Sequence, residues 1–469
     1  MPLNTTTRPG CGRGRARVLA VALMLFAGCT SGEPVGTPGA NIVLITIDTL
    51  RADHLGAYGY ERATSPNLDA LATDAILFRN AFSVSSWTLP AHASILTGLY
   101  PAEHGVDKDI SALPASAVTL AEVLRENDYE TFAAVSHVYL SDRWGFDAGF
   151  TDFDETAAIG SPHQPVAKRI VDSALGWLES REGGKSNPPF FVWLHIFDPH
   201  WDYSPPSPYD TLFDPHYSGG LTGAYSSLAP YIKAVKGYDT PPPLADHDLR
   251  HLLALYDGEI AFVDAQLGRL FDALKARGDW DDTLVVAVAD HGEEFMEHGS
   301  LEGHQWTLHD EVIQVPLMIR LPQQRSRGKV VDSVVSTVGV AGTILDYVAI
   351  DSERRSLTAA IEGEKGRRAH VSEALLDLTV RHRDRQLGLR TKDFKFIRFA
   401  DGRVQLFRHP QDPHEAEDVS DRRPNDVARL SRRVDELLHA MKRLSDAGAE
   451  RQALSPRVRD RLRATGYLD

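Results

Sequence analysis

Short and almost uninterrupted hydrophobic segments recur along this chain, and several of them end where polar residues begin. They lie at residues 41–47, 131–135, 190–196, 284–289 and 316–321. Runs of this length, without alternation of polar and apolar positions, are typical of strands that are buried on both faces of a parallel sheet. The pattern therefore predicts a parallel sheet with both faces covered.

Segments with apolar residues three and four positions apart lie between these runs, at residues 119–127, 166–182 and 247–277. This spacing predicts amphipathic helices. Strands that alternate with helices predict an α/β fold, here a large, mostly parallel central sheet flanked by helices. A segment rich in Pro, Gly, Ser and Tyr at residues 203–243 is expected to wrap the surface near the rim of a site.

The pattern changes after about residue 357. Residues 387–398 and 403–408 alternate with a period of two around Asp401-Gly402, which predicts an antiparallel hairpin. An amphipathic helix is predicted at residues 427–444. These elements predict a main domain at residues 40–360, followed by a smaller C-terminal subdomain of antiparallel sheet and helix at residues 361–469.

Composition and charge narrow the function. The net charge is −15 and no Lys/Arg-rich block follows the N-terminus, so no nucleic-acid partner is expected. Cys11 and Cys29 are the only cysteines, and both lie in the first thirty residues. The folded body therefore has no disulfide, and any metal must be held by Asp, Glu, His or hydroxyl groups.

The N-terminus has the features of a bacterial export signal. Four arginines precede a short apolar run at residues 18–26, and Ala27-Gly28-Cys29 resembles the lipobox of bacterial lipoproteins. The sequence predicts a signal peptide at residues 1–28, a lipid anchor on Cys29 and a flexible tether at residues 29–39. The protein is then expected in the bacterial cell envelope, in the periplasm or on the outer membrane. Cleavage by ordinary signal peptidase and an N-terminal anchor helix are the alternatives.

Polar residues that could bind a metal or take part in catalysis follow two of the predicted strands. Asp48 closes the first, and Asp290-His291 closes the strand at residues 284–289. In open parallel sheets, sites form at the carboxyl ends of strands. Thr88 precedes a short helical segment at residues 91–96, where helix N–H groups favour a bound oxyanion. Each residue alone could be a turn or helix N-cap residue, so the prediction of a site depends on their coincidence.

Residues 86–98, SWTLPAHASILTG, resemble the nucleophile segment of the sulfatase family. Residues 41–60 resemble its opening strand and metal loop, and residues 289–299, ADHGEEFMEHG, its second metal motif. Further similar segments lie at residues 256–259, 310–316, 389–395 and 462–468. The chain after residue 40 is thus identified as a member of the sulfatase family, within the alkaline phosphatase superfamily.

The sequence departs from the family pattern at its centre. Thr88 stands where sulfatases carry the Cys or Ser that is oxidised to formylglycine, and His92 stands in place of an Arg. The resemblance implies one divalent metal, held by the set Asp48, Thr88, Asp290 and His291. An imidazole in place of an oxygen ligand moves the preference from Ca²⁺ toward Zn²⁺ or Mn²⁺, with Ca²⁺ as the alternative.

Further histidines match family positions near the transferred group. His200 aligns with a family His, His137 lies where relatives carry a Lys and a His, and His304 lies where many sulfatases have a Lys. The predicted catalytic residues are therefore Thr88, His92, His137, His200 and His304. Because histidines replace family cations, the charge of the site is expected to depend on pH near neutrality. His195 is left open between a site residue and a buried strand residue.

Three functions compete. The first is a metal-dependent hydrolase that cleaves an anionic phosphate or sulfate ester, of glycan or lipid origin, with Thr88 as nucleophile. Phosphate is favoured because water resolves a phosphothreonine more readily than a sulfated threonine. The second is a transferase that passes a phosphoryl group to a glycan or lipid, although such relatives carry membrane helices that this chain lacks. The third is a silent glycan-binding relative, which would not need to keep Asp48, Thr88, Asp290 and His291.

Overall fold

The computed structural model describes residues 36–446 and residue 459, apart from 108–110, 159–164, 182–186, 236–242, 302–303, 326, 364–373 and 379–384. The predicted signal peptide, the lipid-anchor cysteine, most of the tether and the family segment at 462–468 lie outside the described residues. Within them, no helix combines the length and the apolar character needed to cross a membrane.

The described residues form one large sheet of nine strands. The strands are β1 Asn41–Ile47, β2 Ile76–Phe82, β3 Glu130–Ala134, β4 Asp152–Asp154, β5 Phe190–Ile196, β6 Thr283–Ala289, β7 Gln314–Arg320, β8 Val330–Val331 and β9 Val335–Ser336. Their order is β4-β3-β5-β1-β6-β7-β2-β8, and β9 also pairs with β2. All pairs are parallel except those that β7 makes with β6 and β2.

Helices cover this sheet. They are α1 Pro66–Asp74, α2 Thr88–Thr97, α3 Pro101–His104, α4 Leu120–Glu126, α5 Ala167–Ser180, α6 Tyr225–Val235, α7 Asp246–Arg277, α8 Asp310–Ile313, α9 Val340–Tyr347, α10 Thr358–Glu362 and, after the second sheet, α11 Pro424–Ala440. The longest, α7, ends at Gly278, whose φ of 77° is in the left-handed region that glycine adopts without a Cβ clash. The predicted α/β fold with a mostly parallel, helix-flanked sheet is confirmed.

The register of β1 determines where the site forms. Ile47, its last residue, pairs with Ile196 at the end of β5 and with Ala289 at the end of β6. Three neighbouring parallel strands therefore end at the same level. The residues that follow them emerge side by side at the carboxyl edge of the sheet, as expected for sites in open parallel sheets.

A smaller antiparallel sheet follows, with strands β10 Ala374–Leu378, β11 Gln386–Arg390, β12 Phe394–Phe399 and β13 Val404–Arg408, in that order. The turn at 401–402 is confirmed, but residues 387–398 form two strands instead of the predicted one. The N–H of Thr391 donates to the carbonyl of Phe394 at 2.9 Å, which reverses the chain between β11 and β12. The sequence carries a signal for this turn, because Thr391-Lys392-Asp393 interrupts the apolar alternation, which resumes out of phase at Phe394.

The two sheets share hydrophobic contacts. Leu389, Phe396 and Leu406 of the small sheet belong to one buried cluster with Val84 and Val338 of the main part. Leu430 and Val434 of α11 belong to the same cluster. The boundaries predicted at residues 40–360 and 361–469 stay predictions.

Candidate active site and metal centre

The structure brings together the three charged residues predicted as metal ligands. Asp48 directly follows β1, and Asp290 and His291 directly follow β6. His291 Nε2 lies 3.6 Å from Asp48 Oδ1 and 3.5 Å from Asp290 Oδ2. All three side chains are fully buried. The level ends of the adjacent strands β1 and β6 account for this convergence.

Thr88 joins this group from α2. Its hydroxyl oxygen lies 3.5 Å from Asp48 Oδ2 and 3.4 Å from His291 Nε2. The helix begins at Thr88 itself, not at the predicted residue 91, so the N-cap position belongs to Trp87. No capping hydrogen bond from the Trp87 side chain is found among the described residues. The alternative that Thr88 is a helix N-cap is therefore wrong, because Thr88 is one residue too far along the helix.

The donor set fits a divalent cation. Asp48 Oδ1 and Asp290 Oδ2 are buried without a hydrogen-bond partner among the described residues, and an ionised carboxylate left in this state is costly. Burial raises the pKa of Asp48 to about 7. Nδ1 of His291 lies 2.9 Å from the carbonyl oxygen of Gly292, to which it donates. This hydrogen bond leaves Nε2 as an acceptor, the usual arrangement of a metal-bound histidine.

The distances between the donor atoms and the chemical types of these donors give different information about which metal ion can bind. The donor separations of 3.4–3.6 Å match the edges of a tetrahedron with bonds of about 2.1 Å, and also those of an octahedron with bonds of about 2.4 Å. The separations therefore accommodate Zn²⁺, Mn²⁺ or Ca²⁺. Among these ions, the imidazole of His291 suits Zn²⁺ and Mn²⁺ better than Ca²⁺.

His92 and His195 lie next to the residues predicted to hold the metal. His92 Nδ1 is 2.9 Å from the carbonyl oxygen of Thr88 and 3.4 Å from Asp290 Oδ2. His195 Nε2 is 3.5 Å from Asp48 Oδ2, so the histidine that the sequence left open lies in the site. Burial lowers the pKa of His92 to about 3 and that of His195 to about 4. Both are therefore neutral at physiological pH.

The remaining predicted histidines extend this cluster. The ring of His304 lies 5.1 Å from that of His291 and 4.9 Å from that of His200. The ring of His137 lies 6.4 Å from that of His195. Burial also holds the pKa of His200 well below its usual value. The expectation that these histidines charge near neutral pH is thus wrong for His92 and His200, because both are removed from water.

Two residues of the site escaped the sequence reasoning. Glu293 Oε1 lies 2.8 Å from Nδ1 of His304, and its other oxygen accepts a hydrogen bond of 3.2 Å from the hydroxyl of Tyr203. Glu293 is fully buried. Its position three residues after Asp290 was the available signal, but the adjacent Glu294 has the same spacing relative to His291. Tyr203 begins the segment predicted to line the rim.

Comparison with known proteins identifies the relatives of this chain. The family model described as sulfatase matches residues 40–350, and the model described as N-sulphoglucosamine sulphohydrolase, C-terminal, matches residues 297–443. An N-acetylglucosamine-6-O-sulfatase of Bacteroides thetaiotaomicron is 23% identical over 490 residues, which cover 86% of this chain and 86% of that protein.

Two solved structures have the same fold. One was solved with its substrate D-glucosamine-2-N,6-O-disulfate; its TM-score is 0.71 at 19% identity, over 88% of this chain and all of the other. The second is the phosphonate monoester hydrolase of Agrobacterium radiobacter, with a TM-score of 0.65 at 22% identity, over 88% of this chain and all of the other. At these identities the likeness shows the fold alone.

Proposed function

Because this chain belongs to the sulfatase family, a family of ester hydrolases, we propose that it cleaves an anionic phosphate or sulfate ester with Thr88 as its nucleophile. One observation carries this proposal. The hydroxyl of Thr88 lies 3.4–3.5 Å from donor atoms of Asp48 and His291, although the residue caps no helix. This position next to the predicted metal ligands supports a chemical role for the Thr88 hydroxyl.

Different residues would bind the metal and attack the ester. Asp48, Asp290 and His291 would hold a divalent ion, which would lower the pKa of a neighbouring hydroxyl and offset charge on the ester oxygens. Thr88 presents its oxygen at the first turn of α2, where the helix dipole favours an anionic group. Its attack forms a bond from the threonine oxygen to phosphorus or sulfur and breaks the ester bond. Water then releases the group from Thr88.

The departing alcohol needs a proton, and the pair of Glu293 and His304 is placed to supply it. Burial raises the pKa of Glu293 to about 8. Its carboxyl group forms a hydrogen bond of 2.8 Å with Nδ1 of His304 and thereby fixes the orientation of the ring. Nε2 is then the ring nitrogen that exchanges protons with the substrate. His200, whose ring is 4.9 Å from that of His304, extends the same wall of the site.

Phosphate esters are the preferred substrates in this proposal. Thr88 cannot become formylglycine, so release of the bound group must proceed by attack of water, which phosphothreonine permits more readily than sulfated threonine. The phosphonate monoester hydrolase among the structural neighbours supports phosphorus chemistry on this fold. The relatives named for amino-sugar sulfates support a glycan as the organic part, with sulfate as the alternative group.

The place of action is proposed from the N-terminus. A lipid on Cys29 would hold the enzyme at the bacterial envelope, where glycan and lipid esters occur. This part rests on the basic residues, the apolar run at 18–26 and the lipobox-like Ala27-Gly28-Cys29.

Steady-state kinetics of Thr88→Ala and Thr88→Ser test the nucleophile. The substrates are nitrophenyl phosphate, its diester and its sulfate, after removal of metal and addition of Zn²⁺, Mn²⁺ or Ca²⁺. We expect Thr88→Ala to lose at least about 10³-fold in kcat, as expected when a nucleophile is removed, and Thr88→Ser to keep part of it. Zn²⁺ or Mn²⁺ should restore activity to the metal-free wild type better than Ca²⁺.

Thr97→Ala is the matched control, because Thr97 ends the same helix and its hydroxyl donates only to the carbonyl of Ala93, at 2.6 Å. This variant should turn over like the wild type. Wild-type turnover in Thr88→Ala would contradict the covalent mechanism. A wild type that binds these esters but cleaves none would instead favour the silent glycan-binding relative.

A further inference from the structure

A second group of acidic and histidine side chains lies on the loop between β6 and β7, just beyond the catalytic motif. Glu294 is fully buried in this loop. Its Oε1 accepts hydrogen bonds from the backbone N–H groups of His298, at 3.1 Å, and Ser300, at 2.9 Å. Its Oε2 is buried without a hydrogen-bond partner among the described residues. Such an oxygen requires an explanation, because buried polar atoms are almost always paired.

His298 and Glu311 lie beside the carboxylate of Glu294. His298 Nδ1 is 2.6 Å from Glu311 Oε1. Glu294, His298 and Glu311 each offer one donor atom, and these three atoms all lie within 4.8 Å of one another. The loop conformation holds them there: Met296 has a φ of 72°, and its N–H donates to the carbonyl of Ser300 at 2.7 Å. The chain is thereby reversed between Glu294 and His298.

The charges of this group do not balance. Glu294 and Glu311 carry two negative charges when ionised. Against them, His298 can contribute at most one positive charge, through its ion pair with Glu311. Arg51, which lines the same cleft as Glu311, pairs with Asp53 and Glu297. A dication that replaces the imidazole proton would make the group neutral.

We propose that Glu294, His298 and Glu311 form a second site for a divalent transition-metal ion, with Zn²⁺ as the ion of choice. One imidazole and two carboxylates are ligands that Zn²⁺ accepts. An ion can reach the site from solvent, since the side chain of His298 is 20% exposed and Glu311 lines a cleft of about 710 Å³.

This second site is distinct from the centre at Asp48, Asp290 and His291, because it shares no ligand with it. Its place in the loop indicates a structural role. The same loop carries Glu293 and His304, and His309, whose ring stacks on that of His298 at 3.6 Å, lies 2.8 Å from Glu415 of the C-terminal region. A bound ion would therefore stabilise the loop that holds the proton-donating pair.

Zinc stoichiometry tests the proposal. The full chain is freed of metal with a chelator, exposed to Zn²⁺ alone and freed of excess, and bound zinc is measured per chain. We expect two equivalents in the wild type, one in Glu294→Gln, one in His298→Gln, one in Asp290→Asn and none when Asp290→Asn and His298→Gln are combined. Zn²⁺ should also raise the melting temperature of Asp290→Asn, and not that of the combined variant.

His251→Ala is the matched control, because His251 also pairs with a carboxylate, Asp214 at 3.0 Å, but lies on α7. It should retain two equivalents. The second site is refuted if His298→Gln and Glu294→Gln retain as much zinc as the wild type. A cooperative melt and one remaining equivalent in His298→Gln exclude misfolding as the cause of a loss. If zinc is lost in His298→Gln but unaffected in Asp290→Asn, the second site stands and the proposed catalytic centre fails.

Discussion

Replacing Lys395 with Met examines how the small antiparallel sheet is held to the catalytic part. Lys395 lies on β12 with its side chain fully buried. Its Nζ lies 2.8 Å from Asp310 Oδ1 and 3.2 Å from Glu415 Oε1. Burial would raise the pKa of Glu415, but Lys395 and hydrogen bonds from His309 and His409 hold it well below the usual value. The ammonium group thus neutralises two buried carboxylates at once.

The expected loss in the free energy of unfolding follows from the charges that remain buried in Lys395→Met. Met keeps most of the apolar stem, so the packing term is small. In the variant, the carboxylates of Asp310 and Glu415 stay buried. Arg390, whose Nε is 3.3 Å from Asp310 Oδ2, is their one close and permanently charged partner among the described residues. Breaking a buried ion pair from one side costs about 3–5 kcal/mol. We expect a value near the lower end, because His309 and His409 still share the charge of Glu415.

Urea denaturation measures this cost. The midpoint of Lys395→Met should fall at an unchanged m-value, since the surface exposed on unfolding stays the same. Arg398→Met is the matched control on the same strand: its Nη2 pairs with Asp435 at 2.8 Å in an ion pair largely open to solvent, and such pairs contribute less than about 1 kcal/mol. Adding Glu415→Gln to Lys395→Met should recover part of the loss. Equal and small losses in Lys395→Met and Arg398→Met would refute the reasoning.

Three further predictions concern the site, the loop and the N-terminus. Glu293→Gln should lower kcat about 10- to 100-fold with little change in KM, since weakening the buried hydrogen bond to His304 costs about 1–3 kcal/mol; unchanged kcat would remove Glu293 from the mechanism. In the metal-free protein, the folded-state pKa of His298, about 9, lies above the unfolded value of about 6.5. The stabilising effect of His298 is therefore complete below pH 6.5 and lost as pH rises through 9. His298→Gln should make the urea midpoint less dependent on pH over that range. Mass spectrometry of the mature N-terminus in a bacterial host should find a diacylglyceryl-modified Cys29, and an intact Met1 would contradict export.

Much of the main sheet could be predicted from the sequence because its strands are buried on both faces. Such burial leaves continuous apolar runs, and β1, β3, β5 and β6 fall where those runs occur. The strand β2 was missed, because Arg79 and Asn80 interrupt its pattern where the register with β7 shifts. The antiparallel direction of β7 was also hidden. A strand has the same apolar pattern whichever way it runs, so direction is decided only by the connection it makes in space.

Prediction of the site from the sequence was limited in the same way as prediction of the sheet. Asp48, Asp290 and His291 could be named from the sequence, since residues that end neighbouring parallel strands must emerge at one edge. His195 could not be assigned, because every residue of β5 is buried and nothing in its pattern distinguishes the two faces.

Other residues of the site depended wholly on the tertiary fold. Glu293 and Glu294 are consecutive acids, yet one lies against His304 and the other against His298. Thr88 would read alike as a helix cap or a nucleophile until the start of α2 fixed its place. Residue types and the apolar runs of buried strands are local properties that the sequence carries. Which of two adjacent side chains faces a third, far along the chain, is determined by backbone dihedrals in the loops, and those dihedrals are set by packing against the rest of the molecule.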